Sequence, residues 1–307
     1  MQHRIITILV LAAVTLHVQA QGRRMVLADM PASAVSLAHG GATFGFTGRA
    51  LVYEDPSVAF AENQSMTHAS YDFGLINHAD GDMELHTLAL SHRSGRHLLM
   101  AGARYFNEGT TGEVLDINMH PVSRAMRLYS YGIDVGYGYR FGHFVVHAIL
   151  GLISDKKDVQ DNAYRLSFGA TYLRQEGRTD YKLNVAVADL GVVGTGDRLL
   201  SLSPFMHGGG ALRTTFTRNH AVSMTLDGGA YLPTDKSKLT AMLSGGIDYT
   251  LSGRYSVRIG GHAEEHFNYM SAGLGVHSGR FTIDASARLT AKDATPRLYM
   301  IGMQVEL

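Results

Sequence analysis

The sequence predicts an all-β fold, a fourteen-stranded antiparallel transmembrane β-barrel, on three observations. Long runs alternate strictly between apolar and small or charged residues. The connections between runs alternate between tight glycine turns and longer polar loops. Charges within the runs fall on the face opposite the aromatic one. Composition agrees. The 307 residues carry 27 Lys+Arg and 27 Asp+Glu, and charged residues make up 18%, below the roughly 25% of an ordinary soluble domain. Glycine contributes 35 residues, well above the usual ~7%. A chain of zero net charge with no long basic block does not hold nucleic acid electrostatically. The absence of cysteine excludes disulfides, thiol catalysis, cysteine-type metal centres and a lipoprotein anchor. An apolar content of 45% excludes disorder.

Residues 1–20 read as a signal peptide. His3 and Arg4 make a short positive start, Ile5 to Leu16 an apolar stretch of h-region length, and Val18-Gln19-Ala20 a cleavage site before Gln21. No other apolar run approaches the ~20 residues of a transmembrane helix. Residues 21–64 are irregular and rich in Ala and Gly, and are expected to form a plug that folds into the lumen. Residues 65–307 are expected to form the barrel.

Fourteen strands follow, near 66–75, 83–91, 97–106, 127–140, 144–153, 163–174, 181–190, 199–212, 220–231, 239–251, 254–262, 267–277, 280–290 and 297–307. The clearest runs from Leu128 to Phe141. Tyr129, Tyr131, Ile133, Val135, Tyr137, Tyr139 and Phe141 share one face, while Ser130, Gly132, Asp134, Gly136, Gly138 and Arg140 share the other. A strand of that length exceeds the usual 5–6 residues and suits a membrane barrel, whose strands need about 9–11. An even number of strands closes without an exposed edge. No helical period competes after the signal peptide.

Short turns place a glycine before a base at Gly95-Arg96, Gly142-His143, Gly177-Arg178, Gly253-Arg254 and Gly279-Arg280, where a tight hairpin needs positive φ. Ten charges well inside the strands lie on the non-apolar face. They are Asp72, Arg104, Asp134, Arg165, Lys182, Asp227, Asp248, Arg258, Asp284 and Arg288. A base facing lipid at the midplane costs ~2–4 kcal/mol, so these side chains are expected in the lumen. Their signs balance, which points to self-neutralising ion pairs rather than a one-signed pore. Asp248 and Arg258 flank Gly253 almost symmetrically and should meet across that hairpin. The tyrosines at strand ends, such as Tyr129, Tyr139, Tyr164, Tyr172 and Tyr249, read as interfacial girdles.

The segment from Met30 to Ala42, MPASAVSLAHGGA, resembles the mature N-terminus of the PorV/PorQ proteins of Bacteroidetes, L-P-x-S-A-R-x-x-A-[LM]-G-G. Val35 stands where the family has Arg, and Asp55-Pro56-Ser57 where it has Asn-Pro-Ala. Short stretches further on, Asp189-Leu190-Gly191 through Gly194-Thr195 and Ile247-Asp248-Tyr249 with Ser256-Val257-Arg258, are similar to family elements. The resemblance implies a FadL-like barrel with an N-terminal hatch, in which Ser33, Gly40, Gly41, Asp55 and Pro56 carry the plug motif. It also implies association with type IX secretion.

On that reading a monomeric barrel in outer-membrane lipid docks a secreted or surface protein on its outer loops. The longest is Asn107–Ala125, with Asn107, Glu108, Glu113 and Asp116 as the contact residues. The alternatives are a FadL-like transporter of hydrophobic small molecules and a general porin. No enzyme chemistry, cofactor or metal site is expected. His262-Ala263-Glu264-Glu265-His266 matches the H-x-x-E-H string of zinc proteases but straddles a hairpin loop with no helix to align its histidines. His143 and His147 are about 13 Å apart on a strand. Gly191–Gly196 lacks the helix and Lys of a nucleotide loop. Gly208-Gly209-Gly210 marks a kink or a close approach of the plug.

Overall fold

The protein is described by a computed structural model covering residues 25–61, 66–78, 81–110, 114–115, 121–123, 126–156, 160–196, 198–217, 219–234, 239–265, 267–290 and 297–307. The expected signal peptide, Glu113, Asp116 and His266 lie outside the described residues. The strands are β1 (Met66–His78), β2 (Gly81–Ser94), β3 (His97–Thr110), β4 (Val114–Leu115), β5 (Pro121–Ser123), β6 (Arg127–Phe141), β7 (Phe144–Lys156), β8 (Gln160–Glu176) and β9 (Thr179–Thr195). They continue as β10 (Arg198–Ser201), β11 (Phe205–Thr217), β12 (His220–Tyr231), β13 (Thr240–Leu251), β14 (Tyr255–Glu264), β15 (Tyr269–Ser278), β16 (Phe281–Leu289) and β17 (Arg297–Glu306).

Fourteen of these form a closed antiparallel barrel. Each long strand pairs with the next, and β17 pairs with β1 to close the ring. The extra strand β10 pairs only with the C-terminal end of β9, and β4 and β5 form a separate two-stranded hairpin. Closure satisfies every ladder within the wall, which a strand structure in lipid requires. The outward faces are apolar: Ile133, Val135, Leu150, Tyr164, Leu183 and Val185 are all exposed. Gly95, Gly142, Gly177, Gly253 and Gly279 adopt φ between +58° and +64° at their turns.

Three expectations change. The run expected over 199–212 is two strands, interrupted at 202–204, and the second reaches Thr217. Pro204 has no N–H for the ladder, and Leu202 N instead donates to Gly191 O at 2.9 Å. The loop expected from Asn107 begins later, because β3 continues to Thr110 across a bulge in which Gly109 has φ +93°. Helical turns do occur after the signal peptide: α1 (Val26–Asp29), α2 (Ala34–Ala38) and a 3₁₀ turn (Pro56–Phe60). Elements of four or five residues are too short to show a period. Caps define two of them instead, Ser33 in a capping box with Ser36, and Asp55 ahead of Pro56.

The core lies inside the ring. Residues 25–61 pack against inward side chains around the barrel, and Leu27, Val35, Leu37, Phe44, Val52 and Phe60 are buried there. Two clusters result. One joins Leu27 and Leu37 to Ile76, Leu85, Phe106 and Leu298, and the other joins Leu51, Val52 and Phe60 to Leu98, Met100 and Val145. Burying such side chains stabilises by roughly 1.5–3 kcal/mol each.

Candidate functional site in the barrel lumen

Nine of the ten strand charges are buried inside the barrel, and the tenth, Arg165, is 12% exposed. Glycines opposite them make the room. Asp134 faces Gly102 and Gly151 in register, Asp284 faces Gly275 and Gly302, and Asp72 faces Gly302 from the other side. A Cβ at Gly151, Gly275 or Gly302 would overlap the aspartate lying across it. Arg165 bridges Asp134 (2.6 Å) and Asp189 (2.8 Å). Arg258 bridges Asp248 and Asp284, both at 2.6 Å, and Asp248 and Arg258 are register partners across the Gly253 hairpin.

Four of the other strand charges turn toward the N-terminal segment and Arg288 toward two barrel aromatics, so self-neutralisation accounts for only part of the set. Arg104 donates to the carbonyls of Leu27 (2.6 Å), Met30 (2.8 Å) and Pro31 (3.2 Å), covering the open C-terminal end of α1. Asp72 accepts from Ala34 N at 2.8 Å, at the start of α2. Lys182 reaches Asp55 (3.2 Å) and Gly45 O (2.8 Å). Asp227 accepts from Thr43 N and Oγ1 and contacts His207 Nδ1 at 3.3 Å. The Arg288 guanidinium lies 5.0 Å from the centroid of Phe267 and 5.4 Å from that of Tyr269.

The motif residues of the segment hold its path. Ser33 caps α2, and its hydroxyl donates to Glu54 Oε1. Glu54 Oε2 accepts from Arg49 N (2.7 Å) and Ala50 N (3.4 Å). Burial pushes the Glu54 carboxyl up, and these hydrogen bonds oppose the shift. Gly40 and Gly41 take φ +71° and +82° and turn the chain after α2. The turn lies in a groove of wall glycines. A Cβ on Gly246 would meet His39, one on Gly260 would meet Ala38 O and Gly40 N, and one on Gly273 would meet Ala38 Cβ. Ser271 Oγ closes the groove, accepting from Gly40 N (3.1 Å) and donating to Ala38 O (3.0 Å). Burial, with Arg258 nearby, pushes His39 down to about 4.

Beside the segment a cavity of about 770 Å³ remains, within the range of small-molecule sites. Its lining is mostly apolar and includes Met30, Phe106, Phe205 and Phe267, with Arg104, Arg165, His147 and His207 among its polar groups. It reaches the wall between β8 and β9. There Ala188 and Asp189 together oppose Ser167 in a bulge, and Asp189 has φ +58°. Phe168, which is 45% exposed on the outer face, is part of the same lining.

The remaining sequence motifs do not assemble a site. Asn107 and Glu108 belong to β3, where Asn107 Oδ1 accepts from Gly109 N and Glu108 from Ser130 Oγ. His262 contacts Ser244 (2.8 Å) and Glu264 (3.4 Å), and no cluster of three metal-binding side chains occurs among the described residues. Gly209 backs onto Phe44 of the N-terminal segment. Reading by strand and motif gave no role to Glu54, Arg49 or His207, and weighed His147 only as a metal ligand with His143. Glu54 immediately precedes Asp55 of the quoted Asp55-Pro56-Ser57 and was the one within reach.

A closed antiparallel barrel with an apolar outer band and a charged, filled interior defines a transmembrane barrel of the outer-membrane type. Its shape is FadL-like. The chain is similar to the toluene transporter TodX of Pseudomonas putida, with TM-score 0.58 and 12% identity over 89% of this chain and 96% of that one. It is similar also to the CymD monoaromatic hydrocarbon channel, with TM-score 0.57 and 13% identity over 93% and 98%. These are transport channels rather than enzymes. They carry the FadL-like part of the resemblance noted in the sequence, and not its PorV/PorQ, type IX secretion or Bacteroidetes part. The sequence matches no family model and no curated protein.

Proposed function

We propose that this protein passes small hydrophobic molecules across the outer membrane, with residues 25–61 as the plug that closes its lumen. The observation that carries this reading is the apolar cavity of about 770 Å³ that runs from the plug to the bulged wall at Asp189. A hydrophobic molecule gains about 25 cal/mol for each Å² removed from water, and a route ending at the lipid face spares it a return to water. The likeness to hydrocarbon channels supports the same reading. An open porin fits less well, because the lumen charges are engaged with each other and with the plug. Protein docking through Asn107, Glu108, Glu113 and Asp116 has less support, since the first two continue a wall strand.

The test is entry of naphthalene into cells whose lipopolysaccharide-bearing outer membrane carries the protein. Several-fold faster entry than in cells carrying an empty vector is expected. Equal rates, with the barrel shown to be folded by its heat-dependent gel mobility, would reject transport.

A further inference from the structure

Two imidazoles face this cavity from one register row of the wall. His147 of β7 is opposite Gly169 of β8, Gly169 is opposite Ala186 of β9, and Ala186 is opposite His207 of β11. The two histidine positions therefore flank the two smallest residues of the row. Three strand spacings separate the histidine backbones by about 14 Å along the sheet. The His147 ring shortens that gap by lying over Gly169, where a Cβ would come within 2.7 Å of its Cε1. Gly169 thus lies beneath the His147 ring, and Ala186 lines the cavity between that ring and His207, beside the apolar body of the cavity.

The hydrogen-bonding sense of each ring follows from its surroundings. His207 has both faces covered, by Phe44 at 4.7 Å and by Phe205 at 4.5 Å, so it presents only an edge. Its Nδ1 faces Asp227 Oδ1 at 3.3 Å. With that nitrogen donating to the carboxylate, Nε2 of the neutral ring is a lone-pair acceptor. His147 differs. Its Nδ1 is buried with no partner among the described residues. An orphaned N–H costs more than an orphaned lone pair, so the proton belongs on Nε2, which becomes a donor toward the cavity.

We propose that the cavity selects an aromatic molecule bearing a hydroxyl group, with the hydroxyl held between His147 and His207. A hydroxyl oxygen accepts from His147 Nε2, and its hydrogen donates to His207 Nε2. A carboxylate meets a lone pair at His207, and a plain hydrocarbon leaves both nitrogens unpaired. The aromatic body follows from the walls. Phe205 stacks on Tyr231 at 4.4 Å and 24°, and Phe106, Phe267 and Tyr269 face the same space. Flat rings accept a planar ligand in offset or edge contact. The assignment rests on the transport reading and makes it specific.

The experiment compares 2-naphthol with naphthalene on the full barrel in detergent, with binding constants corrected for partition into micelles. The wild type is expected to prefer 2-naphthol at least fivefold. His147→Leu is expected to bring that preference to near parity while naphthalene binding stays within twofold. His207→Phe keeps a ring in the stack and is expected to do the same. Binding of naphthalene with no wild-type preference for the naphthol overturns this assignment and leaves the transport reading standing. A preference that survives in both variants also overturns it. Binding of neither ligand removes the transport reading itself.

Discussion

Gly260→Ala isolates the contact between residues 34–42 and the wall. The new methyl would sit 2.5 Å from Ala38 O, Gly40 N and His39 C. All three are backbone atoms of the turn that follows α2, so no side chain can swing aside. Relief requires the turn to move off the wall by about 1 Å, since ordinary contact begins near 3.5 Å. That movement breaks the two Ser271 hydrogen bonds, Gly40 N to Oγ and Oγ to Ala38 O. Each is worth about 1 kcal/mol, and overpacking a filled interior adds about 1–3 kcal/mol. Docking of residues 34–42 should weaken by about 3–5 kcal/mol. Their amide protection should then fall roughly 10²- to 4 × 10³-fold, at 1.4 kcal/mol per factor of ten. Native-state hydrogen exchange read by mass spectrometry on peptides covering 34–42 measures this directly. Gly210→Ala is the control, because its methyl meets only Leu183 Cδ2 and Lys182 O at 3.4 Å. Protection in Gly260→Ala equal to that of the control, in a folded barrel, would refute the idea that the glycine groove seats residues 34–42.

Arg104→Ala should strip the carbonyls of Leu27, Met30 and Pro31 of their donor and loosen that stretch by roughly 3 kcal/mol; limited proteolysis between 25 and 33 should accelerate while the wall stays resistant. His39 is held down to about 4 when docked, against 6.5 when free. The docked state therefore binds fewer protons in that window. Docking should weaken as pH falls from 6.5 toward 4, by up to roughly 3 kcal/mol, with no contribution from this group above 6.5. Exchange of residues 34–42 at pH 7, 5.5 and 4 checks the slope, and His39→Gln should flatten it. Gly279→Ala places a side chain at φ +61° and should cost about 1–2 kcal/mol, seen as a lower urea midpoint for the barrel with unchanged binding.

The wall was legible in the sequence because period-2 alternation over ten or more residues has few other structural solutions. Leu128–Phe141 shows it most plainly, since each residue's face follows from its parity alone. The five glycine turns were legible for a related reason, as a two-strand turn demands positive φ and glycine supplies it. Parity also assigned the inward charges, including the pair Asp248 and Arg258, whose partnership needs only a hairpin centred on Gly253. The break at Pro204 was not read: one strand was expected over 199–212, and the structure divides it into β10 and β11.

The partners of the inward charges were not legible. Arg104 meets the end of α1 because the N-terminal segment crosses the lumen there, and no periodicity in residues 25–61 reports that path. Ser33, Gly40, Gly41, Asp55 and Pro56 stood out as a motif, but not Glu54 as the acceptor that ties Ser33 to the Arg49–Ala50 turn. The row from His147 to His207 depends on three successive strand registers over sixty residues of chain. Registers are set by turn length and by bulges such as the one at Asp189, and a shift of one residue would turn either imidazole to the lipid. Local sequence thus determined which face each residue takes. The closed ring and the chain folded inside it decided which residues meet, because those contacts join positions that only the completed barrel brings together.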